Sequence, residues 1–493
     1  MKYILSIDQG TTSSRAVIID QSGKIVASHQ QAFEQIFPKP GWVEHNPEEI
    51  WTSVKDSVAG ALQKGNISGN EIAAIGITNQ RETVVVWDKK TNRPIYNAIV
   101  WQCRRTADFC AKLKSKDHKL IRSLTGTVVD PYFSGSKIRW ILKNVAGASE
   151  KAKKKEIVAG NIDTFLIWRL TEGKSFCTDV SNASRTQLMN IHKGTWDDKL
   201  LKLFSVPKEM LAQISDSSGV LGKTSGLNFL PDGIPISGVA GDQQAALFGQ
   251  TCFEVGEAKC TFGTGSFMLL NTGAKAVKSK SGVLTTVAWR LQNQKMIYAL
   301  EGGAFICGAA VQWLRDGLKL IAKSSEVEAL AKEVKSSEGV EFVPALTGLG
   351  APYWNSEARG VICGLTRGST KAHIARATLE AMALQNAEIL FSMQKDLGKK
   401  MKALRVDGGA TANNLLMQLQ ADYLGVLLTR PQVTETTVMG AAYLAGLGIG
   451  FWKDIHEIKS IWKADCDFHS EMNQKQRGQR LQTWQKAVQR ALL

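Results

Sequence analysis

What is missing from this chain narrows its function first. No apolar run reaches the ~20 residues needed to cross a bilayer as a helix. The longest, residues 438 to 452, covers about fifteen positions and is broken by four glycines, so no membrane span is expected. The eight cysteines (103, 110, 177, 252, 260, 307, 363 and 466) contain no C-x-x-C pair and have no partnered His. Neither a zinc site nor a disulfide framework is expected, and the thiols read as reduced and mostly buried. Before Asp8 there is one lysine and a short apolar segment, too little for a secretory signal, which gives a cytoplasmic expectation. Long polar tracts are also lacking. With 22% charged residues against 44% hydrophobic, a disordered chain is excluded.

Acidic charge is the remaining deficit: 45 Asp plus Glu against 61 Lys plus Arg leave a net charge of +16. That balance admits nucleic acid, an anionic membrane surface or phosphorylated ligands as partners. The basic segments 112 to 119 and 151 to 155 sit in helical contexts without interleaved aromatics. They read as solvated faces rather than as nucleic-acid sites. Weak contact with anionic lipid is an expectation motivated by the net charge alone.

A chain of 493 residues is too long for one core of ordinary size, so two or more domains are expected. Residues 4 to 7, 16 to 19 and 25 to 28 are short β-rich runs separated by turn-forming residues, which predicts three antiparallel strands. Asn46-Pro47-Glu48-Glu49 then supplies a cap, a proline at the first helical position and an acid three residues after the cap. Ile50, Val54, Val58 and Leu62 follow at helical spacing up to Gly65, predicting an amphipathic helix. Residues 72 to 78 and 83 to 87 return to strand character, the first as a buried central strand. The second half repeats the opening: residues 259 to 262, the turn Gly263-Thr264-Gly265-Ser266, then residues 267 to 270. A long helix is predicted over residues 371 to 397, a strand over 403 to 406 and a helix over 412 to 424. The pattern is a duplicated α/β unit with mixed sheets, divided near residue 250 into domains 1–250 and 251–493 that face one cleft.

Three loops carry candidate chemistry. Asp8-Gln9-Gly10-Thr11-Thr12-Ser13-Ser14-Arg15 offers backbone N–H groups, hydroxyls and an arginine to a phosphate, and Asp8 is placed to hold Mg²⁺ through its waters. A polar hairpin tip is the plain alternative. The similar turn at 263 to 266 favours a triphosphate held between two halves. Asp407-Gly408-Gly409-Ala410 sits between a strand and a helix, where the backbone can approach a ligand. Asp242 ends a strand that leads into a helix, a position suited to a base for phosphoryl transfer; simple helix capping is its alternative. Arg81-Glu82 reads in isolation as surface turn charge. Two decoys are dismissed: Gly222-Lys223-Thr224 lacks P-loop spacing, and Gly446-x-Gly448-x-Gly450 suits tight helix packing rather than a dinucleotide.

Read in order, these loops form a pattern together with Gly76-Ile77-Thr78-Asn79-Gln80-Arg81-Glu82-Thr83, Val100-Trp101-Gln102, Asp130-Pro131-Tyr132-Phe133-Ser134-Gly135 and Gly241-Asp242-Gln243-Gln244-Ala245-Ala246-Leu247-Phe248-Gly249. Over nearly its whole length the chain resembles the glycerol-phosphorylating branch of the carbohydrate kinase family, which also includes xylulokinase and gluconokinase. The resemblance implies two ribonuclease H-like domains of the sugar kinase, actin and Hsp70 superfamily, around a central cleft. It implies transfer of the ATP γ-phosphate to a terminal hydroxyl of glycerol, with Asp242 as general base. By the same resemblance Arg81, Glu82, Tyr132, Asp242 and Gln243 bind the hydroxyls, and Trp101 and Phe267 form apolar walls. Thr11, Thr12, Ser13 and Arg15 match the first phosphate turn, Thr264 the second, and Gly308, Gln312, Gly409 and Asn413 the adenosine end. A homo-oligomer, dimer or tetramer, is also implied. Relatives inhibited by fructose 1,6-bisphosphate carry a Gly-Gly-Thr-Arg loop where this chain has Leu230-Pro231-Asp232-Gly233, so inhibition by that route is not expected. The competing readings are a kinase for a larger sugar such as xylulose and a non-kinase ATPase of the same superfamily.

Overall fold

A computed structural model describes residues 2–493. The first half is built on a six-stranded sheet in the spatial order Ser218–Lys223, Pro235–Gly241, Ile72–Asn79, Tyr3–Gln9, Ser13–Ile19, Ile25–Ala32. Tyr3–Gln9, Ser13–Ile19 and Ile25–Ala32 pair antiparallel as the sequence predicts, and Tyr3–Gln9 runs parallel to the buried strand Ile72–Asn79. The second half holds a seven-stranded sheet, ordered Leu284–Trp289, Ile297–Ala304, Ser266–Gly273, Glu257–Phe262, Ala403–Asp407, Leu428–Pro431, Ala464–Phe468. Apart from the edge strand Leu284–Trp289, it repeats the first sheet strand for strand. An antiparallel hairpin comes first, two parallel neighbours follow, and an antiparallel strand closes the far edge.

The first predicted helix forms over Pro47–Gly65, with the Asn46 side chain accepting from Glu48 N and Asn66 closing the end in the left-handed region. The long helix covers Lys371–Leu397. Several strands run longer than the apolar runs that predicted them, and two elements begin two residues later than expected. The strand predicted from residue 83 begins at Val85, because Glu82 occupies a left-handed turn with φ 61°. The helix predicted from residue 412 begins at Asn414, preceded by a 3-10 turn over Gly409–Ala412, because Asn413 is the cap and accepts from Leu416 N.

The glycine-rich apolar stretch forms the helix Thr436–Gly448, buried nearly all round. Although it comes late in the chain, it packs on the strands Tyr3–Gln9, Ile72–Asn79 and Pro235–Gly241 of the first sheet and on the helix Asp242–Gly249. Close backbone approach makes this possible. A Cβ on Gly76 would come within 2.3 Å of the Ala441 carbonyl oxygen, and one on Gly440 within 1.8 Å of that of Ala245. Ser6 Oγ donates to Val438 O at 2.8 Å. The apolar layer so formed joins Ile4 and Val17 of the first sheet to Leu269 and Ala299 of the second. All eight cysteines are free, six of them buried, and among the described residues no helix is long and apolar enough to cross a membrane.

Candidate functional site

The parallel register aligns the ends of three strands of the first sheet: Asp8 stands beside Thr78, and Asn79 beside Gly241. The chain leaves the central strand at Gln80, whose N–H donates to Gln9 O at 2.7 Å. The left-handed turn at Glu82 then sends both Arg81 and Glu82 inward. Arg81 is 3% exposed and Glu82 1%, which overturns the surface-turn reading of this pair. Arg81 Nε lies 3.1 Å from Asp242 Oδ1. Its Nη1 and Nη2 donate to Glu301 Oε2 and Oε1 at 2.9 and 2.8 Å, and Nη2 reaches Tyr132 Oη at 3.4 Å. Glu82 Oε1 accepts from Arg185 Nε at 2.5 Å. Burial raises the Glu82 pKa, while Arg185 and Arg81 pull it back down.

Asp242 is the first residue of the helix Asp242–Gly249, and the cap is Gly241, with no side-chain cap hydrogen bond. Gly241 thus holds the cap position, while Asp242 still meets the helix end through one backbone N–H. Its side chain stays one-third exposed, and Oδ1 accepts from the adjacent Gln243 N at 2.7 Å. Gln243 Oε1 in turn accepts from Lys259 Nζ, and Lys259 also donates to Thr261 Oγ1 at 2.9 Å. Tyr132 meets Trp101 edge-to-face with ring centroids 5.7 Å apart, and its own phenol pKa is pushed up by burial. Trp101 has a polar task besides its apolar face, because its indole N–H donates to Thr11 Oγ1 at 3.0 Å. Phe267 is half-buried and lies over Gly303, where a Cβ would come within 2.9 Å of its ring.

Asp8 is half-buried, and its carboxyl is pushed up to about 7 by burial, then by the neighbouring charges of Asp242 and Glu435, with Arg15 opposing. Arg15 pairs with Glu435 at 2.5 Å. Thr12 is exposed, and Ser13 Oγ accepts from Gln30 Nε2 at 2.7 Å. In the second hairpin Gly263 and Thr264 are exposed, while their carbonyls accept from Gly308 N, Cys307 N and Ala309 N at 2.9, 2.8 and 3.0 Å. The Gly308 N–H is thus occupied within the protein. Asp407 is buried and accepts from Gln250 Nε2 at 2.9 Å and Thr436 Oγ1 at 2.6 Å. Beside it, a Cβ on Gly409 would meet nothing within 4 Å, so the backbone there is open. Gln312 is exposed on the helix Gly308–Asp316.

Contacts thus link Thr11, Arg81, Glu82, Trp101, Tyr132, Asp242 and Gln243 into one cluster, and Asp8 is near enough to feel the charge of Asp242. The Thr264 and Gly308 loops form a second. Gln312 lies on the helix that begins at Gly308, and Asn413 caps the helix after Gly409. The sequence reading missed Arg185, Glu301, Gln244, Lys259 and Glu435. A lone charge within an apolar strand was the available signal for Glu301. No group of three or more His, Cys, Asp or Glu among the described residues is arranged to hold a metal. A cavity of about 1050 Å³ lined by Trp51, Lys55, Arg93, Trp168 and Arg169 lies apart, with no site residue on its walls.

Residues 3–249 match the N-terminal domain of the FGGY family of carbohydrate kinases, and residues 258–449 match its C-terminal domain. The chain is 65% identical over 489 residues to a glycerol kinase of Bdellovibrio bacteriovorus, covering 99% of each chain. It is 56% identical over 491 residues to one from Listeria monocytogenes, again covering 99% of each. Among solved structures, Plasmodium falciparum glycerol kinase with ADP superposes with a TM-score of 0.94 at 40% identity, covering 100% of this chain and 99% of that one. A xylulose kinase from Lactobacillus acidophilus superposes with a TM-score of 0.87 at 23% identity over 99% and 97% of the two chains, a likeness of fold alone.

Proposed function

Because this chain belongs to the FGGY family of carbohydrate kinases, we propose that it transfers the γ-phosphate of ATP to a terminal hydroxyl of glycerol, giving glycerol 3-phosphate. The full-length identity to glycerol kinases supports this substrate over xylulose. The observation that carries the chemistry is the Asp242 carboxylate, one-third exposed and 3.1 Å from the buried Arg81 Nε. In this reading Asp242 takes the proton from the attacking hydroxyl as the phosphoryl group transfers. Arg81, Glu82, Tyr132 and Gln243 bind the hydroxyls, and the rings of Trp101 and Phe267 cover the carbons. A buried charged pair discriminates well, because a ligand lacking the matching hydroxyl leaves it unpaired.

On the nucleotide side, Thr11, Thr12, Ser13, Arg15 and Thr264 take the phosphates, and Gly308, Gln312, Gly409 and Asn413 take the adenosine end. Gly308 serves there by its closeness rather than by its N–H. Asp8 suits Mg²⁺: a cation that keeps its waters and takes one or two carboxylates plus phosphate oxygens fits a carboxyl crowded by Asp242 and Glu435. A Mg²⁺ held by Asp8 would supply charge neutralisation for the phosphate groups. We divide the chain at residue 250, with the helix Thr436–Gly448 crossing back to complete the first half. A dimer or tetramer belongs to the same proposal and is checked by sedimentation.

The activity is tested by measuring ADP release from ATP with glycerol, xylulose, gluconate or no acceptor. Release driven by glycerol above every other tube is the expected outcome. Equal release in all tubes would remove the kinase reading.

A further inference from the structure

Glu301 is 3% exposed on the strand Ile297–Ala304 of the second sheet, the one charged residue in that strand. Its two oxygens receive both Nη groups of Arg81, at 2.8 and 2.9 Å. This is the two-point pairing that fixes a guanidinium plane. The same carboxylate faces Arg185, with Nη1 to Oε2 at 3.0 Å and Nη2 to Oε1 at 3.2 Å. Arg185 also donates to Glu82 through Nε. Two guanidiniums and two carboxylates therefore form a formally neutral cluster, and none of the four side chains is more than 4% exposed. Burial opposes ionisation of Glu301, but Arg185 and Arg81 outweigh it and hold the acid at about 2.

Arg81, Glu82 and Arg185 all come from the first half of the chain, and Glu301 alone comes from the second. We propose that Glu301 is a positioning residue for the polyol site. By holding both Nη groups of Arg81 it aims Arg81 Nε at Asp242, and by occupying them it leaves Glu82 to pair closely with Arg185 Nε, with Arg81 Nε 3.9 Å from Glu82 Oε1. The site is then complete only when the second sheet is seated against the first. Without Glu301, two buried cations face Glu82 and a partly exposed Asp242, and the Arg81 plane loses its fixed orientation. The inference rests on the reading of Arg81, Glu82 and Asp242 as the glycerol site.

The test uses the full-length chain, with Glu301→Gln and Glu301→Asp measured for KM of each substrate, kcat and melting temperature. For Glu301→Gln, kcat/KM for glycerol should fall about 10²-fold, mainly through KM for glycerol, while KM for ATP stays within about twofold. Glu301→Asp keeps the charge but shortens the reach, and should recover about tenfold of that loss. Wild-type constants in a folded Glu301→Gln would overturn the proposal. So would equal rises in both KM values with a lowered melting temperature, which is what a purely structural role gives. If Glu301→Gln does not fold, the same split in Glu301→Asp decides. Failure of the glycerol reading shows separately, in the wild-type chain, as no preference for glycerol. The acceptor it turns over best then replaces glycerol in the same measurement.

Discussion

The two hairpins that open the two halves share a topology but are secured by different means. In the first, side chains do most of the work, beside the backbone bonds Gly10 N to Ser13 O and Phe33 N to Thr12 O. Trp101 Nε1 donates to Thr11 Oγ1, Gln30 to Ser13 Oγ, Gln35 Nε2 to Thr11 O at 3.1 Å and Gln80 Nε2 to Gly10 O at 3.1 Å. In the second, backbone N–H groups of residues 307 to 309 hold the loop carbonyls, and glycines allow the chains to touch. A duplicated unit has thus reached one loop geometry by two routes. The first can be adjusted atom by atom and responds to the ionisation of its supports. The second is held by backbone atoms and leaves no room for a carbon on Gly265 or Gly308.

Asp242 belongs to neither hairpin, which makes it the sharpest test of whether both serve one reaction. Asp242→Asn should lower kcat by about 10² to 10⁴ with glycerol still bound, because the base is lost while most of the contacts remain. Initial rates and calorimetric glycerol titration check this. Unchanged turnover would reduce Asp242 to a structural residue.

The first hairpin alone rests on a titratable support. His45 is buried. Its Nε2 lies 2.9 Å from Gln35 Oε1 and its Nδ1 3.4 Å from Gln80 Nε2, an arrangement that suits the neutral ring with its proton on Nε2. Burial brings its pKa down from 6.5 to about 4. Between those values the unfolded chain binds the proton and the folded chain does not. The contribution is therefore complete above pH 6.5 and is lost as pH falls toward 4, about 3 kcal/mol in all. Melting at pH 7.5 and pH 5 should differ more in the wild type than in His45→Gln. Equal differences would mean that His45 is not the group responsible.

How much of this was legible follows from distance along the chain. The helix Pro47–Gly65 and both hairpins were readable because caps, turn residues and apolar period are local signals. The helix Lys371–Leu397 likewise carried its own period. The assembly of the Arg81 cluster was not readable, although the resemblance marked Arg81 and Glu82: Arg185 and Glu301 lie 103 and 220 positions from their partners, and nothing near Arg81 announces burial. Only the left-handed Glu82 turns the pair inward, and a glutamate does not advertise that conformation. The return of the helix Thr436–Gly448 to the first sheet was equally hidden. Its glycines signalled close packing without saying against what.

The second hairpin should break on the smallest insertion. A Cβ on Gly265 would sit 2.6 Å from Ala304 O and 3.0 Å from Phe305 O, both backbone atoms that cannot step aside. Gly265→Ala should cost about 1 to 3 kcal/mol and raise KM for ATP about tenfold or more. Gly409→Ala is the contrast. With open space around that Cβ, its melting temperature should stay at the wild-type value, so a higher KM for ATP there would report on the nucleotide itself.

The first hairpin should only bend. Thr11→Val keeps the shape of the side chain and removes the oxygen that Trp101 Nε1 uses. Because the indole is only half-buried and three glutamines still hold the turn, the expected loss is about 1 kcal/mol, or about fivefold in kcat/KM. The direction of that loss is informative. Trp101 also packs edge-on against Tyr132, so a freed indole disturbs the polyol side as well as the phosphate turn, and KM for glycerol should rise along with KM for ATP. A rise confined to ATP would mean that the hydroxyl serves the phosphate alone and that the indole is held by its ring contacts. The two hairpins would then be more alike than their hydrogen bonds suggest.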